Sequence, residues 1–442
     1  MKEGTQIPSP PERRPAAATT IGAPGEMRRG AKPTLFLAIL LDLIGFGMIL
    51  PILPFYAEAF HAGPLTIGAI FASYSLAQLV FAPFLGRLSD RFGRRPLMLA
   101  SIAGSVAAHL LFAAAANVAM LVVARSLAGI AAANYGIAQA YLADVTPPAE
   151  RSRAMGLVGA AFGLGFVIGP ALGGALARFG IAAVPYTAAA LSACNLVMAF
   201  AALRESLPAA ARRQASVTAL VDLASLRVLW RDVRLRNLML LFFLVMFCFS
   251  IMEATLALFC QARFGYGARA TSLLFTYVGV VLVVVQGGLL GWLVRSFGDR
   301  RLIGGGIALM ALGLLLLPLP PSATWLLVPL GLLAAGSGMH NPSLLALLSR
   351  LSAAGAQGET LGVSRSAGAL ARVAGPLAGT WLFGAGGAAS PFWTAGGLMV
   401  VALGIAWDLL RRLPGMPGMP GLPGAAGLPA MADAQSAGGE AG

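Results

Sequence analysis

Long apolar runs alternate with short polar breaks along most of this chain. Twelve such runs lie at about 34–57, 65–86, 97–116, 118–142, 154–178, 181–203, 236–260, 271–294, 302–321, 323–348, 361–384 and 390–411. A helix rises about 1.5 Å per residue, so runs of this length can cross roughly 30 Å of hydrocarbon. In hydrocarbon every backbone N–H and C=O must be satisfied within the protein, which makes each run a helix. The expected fold class is an all-α membrane protein with twelve transmembrane helices. An even count puts both termini on one side of the bilayer.

The polar breaks divide the chain further. Residues 204–235 form the longest hydrophilic insert between runs, rich in arginine, with an expected amphipathic piece at 220–230. They separate an N-terminal six-helix bundle (34–203) from a C-terminal one (236–412). The bundles also echo each other. Gly86…Phe92-Gly93-Arg94-Arg95 returns as Gly291…Phe297-Gly298-Asp299-Arg300, and Gly169-Pro170-Ala171-Leu172-Gly173 returns as Gly375-Pro376-Leu377-Ala378-Gly379. Two landmarks repeating at nearly one spacing imply a duplicated unit, hence two pseudo-symmetric bundles able to rock about a central site. Residues 1–33 and the Gly/Pro-rich residues 413–442 are expected to be disordered tails.

Composition narrows the class. The chain is 58 % hydrophobic and 11 % charged, which excludes a water-soluble fold. Its net charge of +14 comes mostly from arginines in segments on the side of the termini, so it reflects membrane topology and not nucleic-acid binding. That side is therefore the cytoplasm. Cys194, Cys248 and Cys260 lie in apolar runs with no metal-ligand spacing. No GxxxxGK[ST], HExxH or GxSxG pattern is present, so neither ATP drive nor an enzyme is expected. No cofactor and no metal are expected; the energy source would be a proton gradient.

The candidate chemistry lies inside the apolar runs. Asp42 sits about 12 Å into the first run at about 1.5 Å per residue. A carboxylate there must face protein or water, be paired, or be protonated, because its charged form is costly without water. It is a candidate proton carrier, with a structural hydrogen bond to a neighbouring helix as the alternative. Arg125 opens a stripe of small residues on the fourth run, Gly129, Ala132, Gly136 and Ala140. Its guanidinium needs either a carboxylate, with Asp42 the candidate, or a substrate anion. Glu253 on the seventh run and Arg372 on the eleventh complete two deep charges of each sign. Gln78, Asn134, Gln139, Gln286 and Asn341 are expected either to face a substrate cavity or to bond between helices.

Two loop and helix motifs stand out. Gly86-Arg87-Leu88-Ser89-Asp90-Arg91-Phe92-Gly93-Arg94-Arg95-Pro96 is a tight cationic turn. Gly165, Gly169, Pro170, Gly173 and Gly174 give the fifth run a smooth, kinked face along which another helix can pack and shift.

The spacing of the loop resembles the signature between helices 2 and 3 of the major facilitator superfamily, and the Gly-Pro-x-x-Gly-Gly ending resembles that superfamily's antiporter motif. Across residues 35–180 the chain is similar to the bacterial tetracycline-resistance branch of drug:proton antiporters. The similarity is carried by Leu41-Asp42-Leu43-Ile44-Gly45-Phe46-Gly47, by Ser89-Asp90-Arg91-Phe92-Gly93-Arg94-Arg95-Pro96, and by Tyr141-Leu142-Ala143-Asp144-Val145-Thr146…Glu150-Arg151. The resemblance implies proton and substrate handling by Asp42, Gln78 and Arg125. It also implies a cytoplasmic gate built on Asp90, Arg94 and Asp144, to which Gly86, Arg91, Gly93, Arg95 and Arg151 belong by position. The second half departs from that branch, with Leu282 in place of a histidine and Met310 in place of an aspartate. Glu253 instead resembles a glutamate of multidrug members.

The resulting expectation is a secondary transporter in a bacterial cytoplasmic (inner) membrane, a monomer exporting a lipophilic small molecule in exchange for protons. Asp42 and Glu253 would carry protons and Arg125 would tune Asp42. Import or uniport of a metabolite on the same fold is the alternative, with a non-transporting scaffold or receptor behind it.

Overall fold

The computed structural model describes residues 26–147, 150–207, 212, 233–351 and 357–412. The expected tails over 1–25 and 413–442, and the amphipathic piece at 220–230, lie outside the described residues. The described residues form helices and connecting turns, with no strand among them.

In the first half these are α1 (Glu26–Ile49), α2 (Leu53–Glu58), α3 (Pro64–Phe92), α4 (Arg94–Ala113), α5 (Val118–Ala131), α6 (Asn134–Asp144), α7 (Arg151–Leu176) and α8 (Ala183–Ala202). In the second half they are α9 (Val233–Phe264), α10 (Ala268–Val283), α11 (Leu290–Leu316), α12 (Leu327–Leu351), α13 (Gln357–Gly386) and α14 (Ser390–Arg412). A π-helical stretch, Val284–Leu289, joins α10 to α11. Among the described residues nine helical stretches are long and apolar enough to cross a membrane, and one of them, Ala268–Leu316, holds both the eighth and ninth expected spans. With α12 and α13 the helices are consistent with twelve spans.

Three features differ from the sequence pattern. The first helix begins at Glu26, ahead of residue 34, because polar helix formers extend it past the apolar run. Pro51 and Pro54 then end α1 and open α2, since proline cannot continue the backbone ladder but suits a first turn. The fourth span is two helices, interrupted at Ala132 and Ala133 just before Asn134.

The two halves pack alike. In the first, α1 packs on α7 and α8, α4 on α5 and α8, and α3 on α5; in the second, α9 packs on α13 and α14, α11 on α12 and α14, and α10 on α12. These pairs correspond one to one under the internal repeat. The repeated turns correspond too: Gly93 and Gly298 both take left-handed backbone, φ +105° and +76°, which glycine adopts without strain.

The halves meet along α3 with α13 and α7 with α10. At the face opposite the arginine-rich loops this contact is backbone-close. A Cβ on Gly174 would lie 2.8 Å from Ser272 Cβ, one on Gly279 2.5 Å from the Phe166 carbonyl oxygen, and one on Gly68 would strike Thr380. Toward the arginine-rich face Gly86 on α3, Gly156 and Gly159 on α7 and Gly362 on α13 have no neighbour within reach of a Cβ. The contact between the halves is therefore tighter away from the arginine-rich face.

Candidate functional site

Between the halves lies a cavity of about 370 Å³, walled by α1, α3, α4, α5, α6, α7 from one side and α9, α10, α12, α13 from the other. Its lining is largely apolar, with aromatic rings from Phe46, Phe71, Phe166 and Phe249. Into that lining project Asp42, Gln78, Arg125 and Asn134 from the first half and Glu253, Gln286, Asn341 and Arg372 from the second. The mixture of an apolar wall with a few convergent polar groups is that of a small-molecule site.

Asp42 is held by amides. Asn134 Nδ2 donates to its Oδ2 at 3.0 Å, and Asn195 Nδ2 donates to its Oδ1 at 3.1 Å and to the Ala38 carbonyl at 3.0 Å. The interruption of the fourth span puts Asn134 at the start of α6, where its side chain reaches α1. Gln78 donates to the Ala132 carbonyl at 3.4 Å, which also accepts from the Tyr135 backbone N–H at 3.2 Å.

The expected pairing of Arg125 with Asp42 is not made. Gly129, one turn after Arg125, packs against the backbone of Tyr74, and this brings the guanidinium over the Tyr74 ring at 4.5 Å, with Phe46 at 5.8 Å. Arg125 Nε has no hydrogen-bond partner. Glu253 lines the same cavity as Arg372 and Arg125. Tyr74 lines the cavity together with all four deep charges.

Gln139 does not line the cavity. On α6 the face carrying Asn134, Tyr135 and Ala138 looks into it, and Gln139 falls to the side of that face. His109, also on the lining, pairs its Nδ1 with Ser192 Oγ at 3.2 Å. His340 turns its Nδ1 to the Gly336 carbonyl at 3.1 Å. Gln286 sits inside the π-helical stretch, a widened turn of the kind that recurs at functional sites.

At the arginine-rich face, Arg94 bridges two carboxylates: Nη1 to Asp90 Oδ1 at 2.6 Å and Nε to Asp144 Oδ2 at 3.3 Å. Arg95 turns away to the Phe200 carbonyl, Arg91 lies over Phe92, and Arg151 Nε donates to the Thr146 carbonyl at 3.4 Å. The glycines of α7 serve packing against α1: a Cβ on Gly165 would meet Leu43 at 2.6 Å, on Gly169 the Gly47 backbone at 2.8 Å, and on Gly173 the Met48 carbonyl at 2.8 Å. Gly174 instead faces Ser272 in the other half. Gly375 and Gly379 play the matching part between α13 and α9, against Ser250 and Ile251. Pro170 lies inside α7 and Pro376 inside α13 at corresponding points.

Three contributors were not anticipated from the sequence: Asn195, Tyr74 and Glu205. Asn195 had a visible signal, a lone amide within an apolar run. Glu205 caps α4, accepting from the backbone N–H of Arg94 at 2.8 Å and of Arg95 at 3.3 Å.

The family model for the Major Facilitator Superfamily matches residues 35–296 and 287–422. The chain belongs to the Major Facilitator Superfamily. Within the superfamily it is 32 % identical over 350 residues to the class C tetracycline resistance protein of Escherichia coli, covering 78 % of this chain and 88 % of that protein. It is 30 % identical over 379 residues to multidrug resistance protein 2 of Bacillus subtilis (strain 168), covering 84 % and 94 %. The crystal structure of the human organic anion transporter MFSD10 matches with a TM-score of 0.67 at 28 % identity, over 86 % of this chain and 99 % of that one. An inward-facing bacterial homologue of the lysosomal transporter Spinster shares the fold, with a TM-score of 0.71 at 16 % identity over 88 % and 98 %.

Proposed function

We propose that this superfamily member is a proton-coupled antiporter that exports a lipophilic small molecule by alternating access. It would work in a bacterial cytoplasmic membrane with both termini in the cytoplasm. The observation that carries the reading is the placement of one carboxylate from each half, Asp42 and Glu253, on opposite walls of one apolar cavity. The named relatives that resist tetracycline or several drugs support the same direction.

In this reading the cavity, open at the arginine-rich cytoplasmic face, takes up substrate while Asp42 is ionised. Rocking of the halves about α3–α13 and α7–α10 exposes the site on the other face, where protonation of Asp42 weakens substrate binding. Proton return then resets the cycle. The test is flux in everted vesicles with an imposed, acid-inside pH gradient. Addition of a lipophilic drug should collapse part of the gradient, in vesicles containing the protein and not in those without it. A gradient unaffected by every compound to which the protein confers growth protection would sink the antiport reading.

A further inference from the structure

Among the described residues Arg125 is the buried cation of the cavity, and its guanidinium makes no ion pair. It is 3 % exposed, its Nε has no acceptor, and among the described residues no carboxylate pairs with it. Asp42 is already committed to two amides, and Glu253 shares the cavity with both Arg125 and Arg372. Tyr74 and Phe46 offer ring faces, which attract a cation but supply no lone pair in the plane of the guanidinium. A guanidinium stays charged under all conditions in a protein, so it cannot escape by losing its proton. A buried charge left uncompensated is strongly destabilising. The arrangement makes sense if the partner arrives with the cargo.

We infer that Arg125 receives an acidic group of the transported molecule: a carboxylate, sulfonate or enolate on an otherwise lipophilic body. The planar fork of donors suits two-point binding of such a group. Phe46, Phe166 and Phe249 supply apolar contact for the body, and the unpartnered side-chain oxygens of Asn134 and Asn341 accept from an N–H or O–H on it. A donor group of this kind beside Asn134 lies next to Asp42, where it competes with the proton. The inference rests on the export reading above, and it narrows the substrate to molecules bearing an acid and a hydrogen-bond donor.

The test uses a matched pair of dyes, rhodamine 110, which carries a free benzoate, and its methyl ester rhodamine 123. Binding to the full-length protein in phosphatidylcholine nanodiscs is followed by fluorescence polarisation. The acid should bind at least about tenfold more tightly than the ester, equivalent to about 1.4 kcal/mol. Arg125→Met should abolish that preference, and Arg125→Lys should retain part of it, which shows that the site still folds. Equal affinity for acid and ester in the wild type, or a preference that survives Arg125→Met, would overturn the inference. Displacement of the acid by added phosphatidylglycerol would also overturn it, because the acidic group would then belong to a lipid headgroup. Absence of pH-driven flux in proteoliposomes, with the acid preference intact, would overturn the antiport reading and leave the Arg125 site standing.

Discussion

Arg94 and Asp299 occupy equivalent positions in the two halves, 205 residues apart, and carry opposite charges. Each is paired across its own half with the end of a neighbouring helix: Arg94 Nε with Asp144 Oδ2 at 3.3 Å, and Arg350 Nη1 with Asp299 Oδ2 at 3.0 Å. The duplication has kept the bond and exchanged its poles. Partly exposed pairs of this kind contribute little stability, about 0–1 kcal/mol, so their role lies in holding the loop turns in register. Asp299→Arg places like charges together and should slow transport several-fold. The double variant Asp299→Arg with Arg350→Asp should recover most of the loss, and a double-mutant cycle on transport rate measures the coupling.

Asp42→Asn should remove proton-driven transport and leave the protein folded. An asparagine there still accepts from Asn134 or Asn195, so the packing of α1 against α6 and α8 survives. Exchange of labelled for unlabelled substrate, which needs no proton movement, should persist. Retention of gradient-driven flux in this variant would contradict the assignment of Asp42 as proton carrier.

Gly279→Ala should bias the protein away from the conformation described here. Its new Cβ would lie 2.5 Å from a backbone oxygen on α7, which cannot move aside as a flexible side chain would. The contact exists only while the face opposite the arginine-rich loops is closed. Spin-label distances across that face should therefore lengthen in Gly279→Ala. Gly287→Ala, which meets only open space in this conformation, should leave those distances unchanged.

Gly93→Ala should destabilise the N-terminal half and abolish transport. The residue sits at φ +105°, and an added Cβ would also strike the Glu205 carboxylate that caps α4. Backbone strain of this type costs about 1–3 kcal/mol. Glu205→Ala removes the cap without strain, at about 0.5–2 kcal/mol, so it should lower the unfolding temperature less than Gly93→Ala does.

Much of this arrangement could be read along the chain, for a physical reason. Hydrocarbon tolerates so few polar groups that span positions, the repeat and the deep charges all show in one dimension. Asp42, Gln78, Asn134, Glu253, Gln286, Asn341 and Arg372 were legible as polar residues in apolar runs, and they line one cavity. What spacing cannot reveal is how each helix is turned about its axis. Gln139 faces aside, and Arg125 lies over Tyr74 instead of reaching Asp42, because the close approach at Gly129 fixes the rotation of α5 against α3. Nor could the sequence locate the π-helical turn at Gln286 or the interruption before Asn134. Gly287 and Gly288 stand inside the π-helical turn, yet a glycine pair in an apolar run does not by itself say whether the turn widens.

The tight contact between the halves, α3 on α13 and α7 on α10, is made by glycines against the Phe166 backbone and the short side chains of Ser272 and Thr380. The hydroxyls of Thr271 and Ser272 beside it have no hydrogen-bond partner. Surfaces joined by shape alone can slide apart without first snapping directional bonds, so the barrier to switching should depend little on ionic strength. Instead it should respond to the lateral squeeze of the surrounding lipid, and bilayers of different chain length should change turnover more than salt does.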